Sequence, residues 1–301
     1  MNNQPLVSIL INNYNYGHFL GEAIDSALNQ TYSNIEVIVV DDGSTDNSRE
    51  IIQSYNSKVI PIFKANGGQA SAFNEGFATS SGEIICFLDS DDIFQPEKVT
   101  EIVQVFAQYP KIGWCFHPLK FLSTNREDLP KENYSGSSEI YDLRTFIQQG
   151  KLKGKLPFGT ATSGLCFNRS LLKQILPMPE AIRITSDDYI KYLALGLEPG
   201  AILLKEIAIQ RIHGNNAYTF RKDKVNLKIQ IQILTAYWIK TNFPQLQKFS
   251  NNILALGLYL DWRYGGNQEA NNQLVKTYLS STSLTEIIEI YLRAIYYSIK
   301  Q

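Results

Sequence analysis

What most limits how this chain can fold is a rhythm in its first 110 residues. Short, mainly apolar runs alternate with stretches of helical spacing. The runs are residues 6–11 (LVSILI), 35–40 (IEVIVV), 59–63 (VIPIF) and 84–88 (IICFL). They are too short for helices, and their apolar residues are consecutive rather than alternating, as expected of strands covered on both faces. Between the first two, Phe19, Leu20, Ala23, Ile24, Ala27 and Leu28 fall on one helical face. A second helix is expected to reach about Tyr55, with Thr45 or Asp46 as its N-cap. Residues 70–78 form a third, and a fourth runs from near Pro96, which suits a first turn, to about Gln108. Strands and helices alternating at this spacing predict βαβ units and a mainly parallel sheet flanked by helices, an α/β fold.

From residue 112 the rhythm loosens. Residues 113–122 predict a strand, 125–138 a polar loop, 160–168 a strand entry followed by a helix from Ser170, 187–195 a helix and 201–212 a strand. After His213 the character changes, and residues 224–240, 247–262 and 284–300 all have helical spacing. The 301 residues suffice for one α/β domain with an appendage. The expected division is 1–222, in halves 1–110 and 111–222, followed by a C-terminal helical extension over 223–301.

A formal net charge of -1 offers no basic footprint, so no nucleic-acid partner is expected. Cys86, Cys115 and Cys166 lack metal-binding spacing. They read as buried small side chains in a reducing compartment. Residues 1–5 have no signal-peptide character, and no run is long enough to span a bilayer. A cytoplasmic location is expected, with peripheral contact at the inner face of the membrane as an open alternative. The stretch 284–300 is apolar and aromatic. It suits core packing, or else a membrane surface or homo-oligomer contact through the C-terminal helices.

Two acidic clusters, Asp41-Asp42 and Asp89-Ser90-Asp91-Asp92, stand at the carboxyl ends of predicted strands. Open parallel sheets bind ligands there. Carboxylates converging at such a place repel one another unless a cation joins them, and an oxygen-rich donor set favours Mg2+ or Mn2+. Taken singly, each cluster also suits a helix cap or a solvated acidic loop. Asn66-Gly67-Gly68-Gln69 precedes a helix, so the Gly67 and Gly68 amides are candidates to face a phosphate. The chain has neither GxGxxG nor GxxxxGK[ST], which removes the usual dinucleotide and P-loop devices.

Four ordered segments, SILINNYN (8–15), IEVIVVDDGSTDNS (35–48), NGGQASAFNEGF (66–77) and GEIICFLDSDD (82–92), resemble the family 2 glycosyltransferases. The resemblance is close over the first hundred residues and looser through Asn216. It implies a GT-A fold and inverting transfer of a sugar from a nucleotide diphosphate donor, with a UDP-sugar expected. The acceptor would be a hydroxyl of a glycan or lipid-linked sugar, in cell-surface glycan synthesis, with Mn2+ or Mg2+ as cofactor. By this resemblance Asp41, Asp42, Asn13 and Tyr14 line the nucleotide pocket, and Gly67, Gly68 and Asn74 belong to the third motif. Asp89 and Ser90 meet the ribose or donor sugar, and Asp91 holds the metal. Ser186-Asp187-Asp188-Tyr189 resembles the acidic pair that precedes a helix in the family. That makes Asp188 the implied general base and Asp187 its fallback. Arg211 to Asn216 resembles an RxHxxN-like segment, with His213 as a second metal ligand or diphosphate contact. Many relatives carry Arg where this chain has Phe73, so a positive diphosphate contact is either missing or supplied by Lys64. The rival functions are a nucleotidyltransferase, which would release pyrophosphate, and a non-catalytic nucleotide-sugar-binding module.

Overall fold

The computed structural model describes residues 4–123, 134–151, 156–214, 216, 223–265 and 269–300. The chain divides into two compact units, Met1–Asp142 with Leu156–Gly214, and Leu143–Lys155 with Asn215–Gln301.

The first unit opens with β1 (Val7–Asn13), α1 (Gly17–Leu28), β2 (Ile35–Asp41), α2 (Ser48–Ser54), β3 (Ile60–Phe63), α3 (Gln69–Thr79) and β4 (Ile84–Asp89). These are the expected elements, but β1, β2 and β4 run one or two residues further into the polar motifs. β5 (Ile93–Phe94), α4 (Lys98–Gln108), β6 (Trp114–Phe116), β7 (Lys120–Ser123) and β8 (Ser135–Tyr141) follow. After α5 (Arg144–Gln148), which belongs to the second unit, come β9 (Leu165–Asn168), α6 (Arg169–Ile175), α7 (Ser186–Leu197), β10 (Gly200–Lys205) and β11 (Ala208–Ile212).

The large sheet has the order β3-β2-β1-β4-β9-β6-β10-β8. Its first four strands are parallel. β9 then enters antiparallel to both β4 and β6. That places Cys86, Cys166 and Cys115 side by side in adjacent strands, and all three are free and buried, as expected. β10 runs parallel to β6, and its neighbour β8 is antiparallel. A second sheet, β5-β11-β7, has three strands.

Three expectations need correction. Residues 113–122 and 201–212 each form two strands, not one, and in each case the two strands serve different sheets. The loop expected at 125–138 gives way to β8 from Ser135, while residues 124–133 lie outside the described residues. The α2 N-cap is Asn47, not Thr45 or Asp46. The Asp46 carboxylate instead accepts from the Ser48 and Gly17 amides at 3.0 and 2.8 Å, joining the starts of α2 and α1.

The apolar sides of β1, β2 and β4 pack with α1 and α4 in one core that includes Ile9, Ile11, Val37, Val39, Leu88 and Phe106. Gly200 is required by a close approach, because a Cβ there would lie 1.9 Å from the Trp114 ring.

The second unit holds α5, α8 (Lys224–Asn242), α9 (Gln247–Tyr264), α10 (Glu269–Ser280) and α11 (Leu284–Lys300). α9 packs against α8, α11 and α5. Lys240 Nζ closes the end of α10 by donating to the Tyr278 and Ser281 carbonyls at 2.9 and 3.0 Å. Among the described residues, no helix is long and apolar enough to cross a membrane.

Candidate active site

β1 lies between β2 and β4, and its last two residues reach opposite neighbours. The register pairs Asn12 with Asp89 and Asn13 with Asp41. Asn12 Nδ2 donates to Asp89 Oδ1, and Asn13 Nδ2 to Asp41 Oδ1, each at 2.9 Å. Strand pairing therefore carries both acidic clusters to one edge of the sheet. Asn12 Oδ1 and Asn13 Oδ1 are buried there without a hydrogen-bond partner, as expected of a place built to receive polar groups. Tyr14, just past the strand, is 47% exposed.

Asp42 is buried and fully engaged. It accepts from Lys64 Nζ at 2.8 Å, from the Gly67 amide at 2.8 Å and from the Gly68 amide at 2.7 Å. The Gly67 and Gly68 amides are thus aimed at a carboxylate of the protein. Lys64 is likewise committed to Asp42. Phe73 packs in the core against Phe87, with ring centroids 4.6 Å apart. Asn74 ties α3 to the Met178 backbone, donating to its carbonyl at 2.9 Å and accepting from its amide at 2.8 Å. Asn74 thus braces α3 against that segment.

Asp89, Asp91 and Asp92 present oxygens that all lie within 4.8 Å of one another. Ser90, between them, is buried. Burial first, and the Asp91 charge second, push the Asp89 carboxyl up to about 7. The same causes push Asp92 well above the usual carboxylate range. Asp92 faces inward, accepting from Ser163 Oγ at 2.6 Å and the Arg211 amide at 3.0 Å. The second bond follows from pairing. β5 begins directly after Asp92 and is antiparallel to β11, with Ile93 opposite Ile209. Continuing that register brings Arg211 and His213 alongside the acidic turn. His213 Nε2 stands 3.1 Å from Asp91 Oδ2, and the imidazole packs against Phe19 with centroids 4.6 Å apart.

These groups fit a divalent cation. Adjacent ligands on an octahedral ion with bonds of about 2.1 Å are about 3 Å apart, the spacing between Asp91 and His213. Three crowded carboxylates also have a net charge that a cation would neutralise.

Asp187 and Asp188 lie in the first turn of α7. Burial first, and the Asp188 charge second, push Asp187 up to about 6. Asp188 keeps 32% of its side-chain surface and pairs with Lys191 Nζ at 2.6 Å. The negative charge of Asp187 also contributes to the rise at Asp89, so α7 and the β4 turn share one electrostatic site. Thr185, before the helix, has φ +53°, an uncommon conformation for a β-branched residue and a form of strain that clusters at functional sites.

Sequence reasoning missed the residues that hold this arrangement. Ser163 Oγ accepts from the Asp89 amide at 3.1 Å while donating to Asp92. The carbonyl of Ser163 takes a bond from Lys98 Nζ, which also reaches His117 Nε2 at 2.9 Å. Burial lowers the Lys98 pKa and pushes His117 well down, so His117 is the neutral acceptor. Gln69 Oε1 accepts from the Ser186 amide at 2.9 Å, fixing the start of α7 to α3. The Asn12 signal was legible in the repeat Asn12-Asn13 at a strand end. Lys98 and Ser163 carry no such mark.

The model of the family described as "Glycosyl transferase family 2" matches residues 8–176, more than half of the chain. The chain belongs to glycosyl transferase family 2. An uncharacterised glycosyltransferase of Nostoc sp. (strain PCC 7120) is 40% identical over 215 residues, covering 70% of this family 2 chain and 66% of the relative. One from Rickettsia typhi is 46% identical over 145 residues, 47% of this chain and 46% of the relative. The chain thus spans between about half and two thirds of the length of these curated relatives. Two solved structures share the fold. S. aureus TarS 1–349 in complex with UDP-GlcNAc has a TM-score of 0.61 at 19% identity, covering 86% of this chain and 73% of its own. A mannosyltransferase from Pyrobaculum calidifontis in complex with GDP-Man and Mn2+ has a TM-score of 0.51 at 16% identity, covering 98% and 81%.

Proposed function

We propose that this family 2 chain moves a sugar from a nucleoside diphosphate donor to an acceptor hydroxyl, with inversion at the anomeric carbon. The observation that carries this is the meeting of Asp91 with His213, 122 positions apart in sequence, 3.1 Å apart in space and beside Asp89 and Asp92. Asp91 and His213 would hold a divalent cation, Mn2+ or Mg2+, which when bound supplies positive charge for the departing diphosphate. Asp89, tied to Asn12, would contact the ribose or donor sugar. Asn13, Tyr14 and the braced Asp41–Asp42 edge would flank the nucleoside.

Asp188 is the proposed general base. Its carboxylate keeps open surface, and its ion pair with Lys191 holds it at the start of α7, where it would serve as proton acceptor for an incoming hydroxyl. Asp187, the neighbouring carboxyl in the same turn of α7, is the alternative base. The TarS complex with UDP-GlcNAc supports a UDP-sugar as the donor. The acceptor, by family habit, is a hydroxyl of a glycan or lipid-linked sugar.

The test is a thermal-shift screen of nucleotide sugars with Mn2+, followed by a transfer assay on the hit. Release of a nucleoside diphosphate is expected, and release of pyrophosphate would instead indicate nucleotidyl transfer. Asp188→Asn should lower kcat by about 10²- to 10⁴-fold, the usual worth of a general base, while the donor Kd stays within about threefold. Equal loss of donor binding would remove Asp188 from the role of base.

A further inference from the structure

An open parallel sheet receives its ligands at the carboxyl ends of the strands, and the residues leading into a parallel strand lie at the opposite edge. β9 is antiparallel to β4, so the residues leading into it lie at the ligand edge. The pairing stops at Cys166 opposite Cys86. Carried on, the same register sets Ser163 opposite Asp89. Segment 160–164, Thr-Ala-Thr-Ser-Gly, is thereby delivered beneath the acidic turn. Gly164 lets it fit there, since a Cβ would lie 2.6 Å from the His117 carbonyl oxygen.

Thr160, Thr162 and Ser163 are all buried, and a buried hydroxyl costs free energy unless it is bonded. Ser163 Oγ holds the acidic turn, donating to Asp92 Oδ2 at 2.6 Å and accepting from the Asp89 amide at 3.1 Å. Thr162 reaches two ways. Its hydroxyl donates to the Asp89 carboxyl and accepts from Gln69 Nε2 at 3.4 Å. A hydroxyl has one proton to give and lone pairs to receive, so both bonds can stand at once. Gln69 Oε1 in turn accepts from the amide of Ser186, the first residue of α7, at 2.9 Å. A line of bonds therefore runs from Asp89 through Thr162 and Gln69 to α7. Thr160 adds a second tie, because its carbonyl accepts from Lys191 Nζ at 3.3 Å, and Lys191 is the ion-pair partner of Asp188.

We propose that Ser163 and Thr162 are positioning residues: Ser163 sets the acidic turn for its cation, and Thr162 makes the start of α7 respond to what binds at that turn. The role rests on the reading of Asp91 as a metal ligand and of α7 as carrier of the general base. Groups that orient metal ligands from behind typically carry about 10- to 100-fold of metal affinity. Ser163 is such a group, since it fixes Asp92 and the Asp89 backbone on either side of Asp91. Thr162 and Gln69 form the shorter of the two ties to α7, and it ends on the backbone that carries Asp187 and Asp188.

Titration calorimetry of the full chain with Mn2+ tests the first part. Ser163→Ala should raise the Mn2+ Kd by about 10- to 100-fold, and Ser163→Cys, with a weak donor in the same place, should fall between it and wild type. Hydrogen exchange tests the second part. In wild type, Mn2+ with UDP should slow exchange of the amides at 186–190. Thr162→Val, which keeps the side-chain shape without the hydroxyl, should lose that slowing, as should Gln69→Leu, and Thr162→Ser should retain it. A merely structural role would lower the thermal midpoint of these variants and leave both readouts as in wild type. A Ser163→Ala Kd within about threefold of wild type, well short of what such a group carries, would overturn the proposal. So would slowing at 186–190 that is absent from wild type or persists in Thr162→Val. A wild-type chain that bound no Mn2+ would overturn the metal assignment itself, and the positioning role with it.

Discussion

At Asp89 the sheet holds a carboxyl in a place that favours its proton, and this has a measurable consequence. Burial and the Asp91 charge raise Asp89 to about 7, above the ordinary value near ~3.9 for an unfolded chain. The native state therefore binds that proton more tightly than the unfolded state. The associated stabilisation is complete below about pH 4 and is lost as pH rises through about 7. Asp187, raised to about 6, adds to the loss in the same direction. Without divalent metal, wild type should lose stability relative to Asp89→Asn between about pH 4 and 8, by a few kcal/mol at most. Urea denaturation across that range checks it, and parallel curves would show that Asp89 is not the group responsible. At pH 8, Mn2+ at about a hundredfold excess over its Kd should return about 2.7 kcal/mol to wild type. It should return much less to Asp91→Ala, which lacks the expected ligand.

Among the elements, the contact between the start of α3 and the start of α7 is the one most exposed to a single substitution. Gly68 has φ +88°, and a Cβ there would lie 2.8 Å from the Arg183 carbonyl oxygen. That oxygen accepts from the Gln69 amide at 2.9 Å, while Gln69 holds the Ser186 amide. Gly68→Ala should therefore destabilise the fold by about 1–3 kcal/mol. By shifting the start of α7 it should also lower kcat more than it raises KM, whereas a purely structural loss would be read in thermal denaturation with kcat unchanged. The elements around this contact were legible in sequence because β1, β2 and β4 are mainly apolar runs that end in motif residues. The breaks between β6 and β7 and between β10 and β11 were not, since the apolar pattern continues through Leu119 and Ile207, both buried. β8 reads as loop because it is a Ser- and Gly-rich edge strand, where polarity guards against pairing with other chains. α10 escaped notice because Asn271 and Tyr278 are the buried residues in its twelve, too few for an apolar stripe. Within the site, the acidic residues were visible as clusters at strand ends. Their supports, Ser163 and Lys98, depend on an antiparallel β9 that no local pattern announces.

At the scale of the whole molecule, the helical unit is more than a C-terminal tail. The segment Leu143–Lys155 leaves the α/β unit in mid-chain and belongs with residues 215–301. Its α5 packs on α9, Leu143 and Ile147 are buried, and Asn252 donates to the Gly150 carbonyl. A cut at residue 214 would therefore do two things. It would remove four helices, and it would strand an apolar segment in the remainder. Each of Leu143 and Ile147 loses about 1.5–3 kcal/mol of burial if left in water, comparable with much of a domain's net stability. A chain ending at Gly214 is accordingly expected to aggregate on expression. The same fragment carrying Leu143→Asn and Ile147→Asn should be more soluble and should keep a Mn2+-dependent thermal shift, because Asp89, Asp91, Asp187 and His213 all lie in the α/β unit. Size-exclusion chromatography and thermal denaturation of the two fragments decide the matter. If the unaltered fragment is soluble, monomeric and as stable as the full chain, residues 143–155 do not depend on the C-terminal helices.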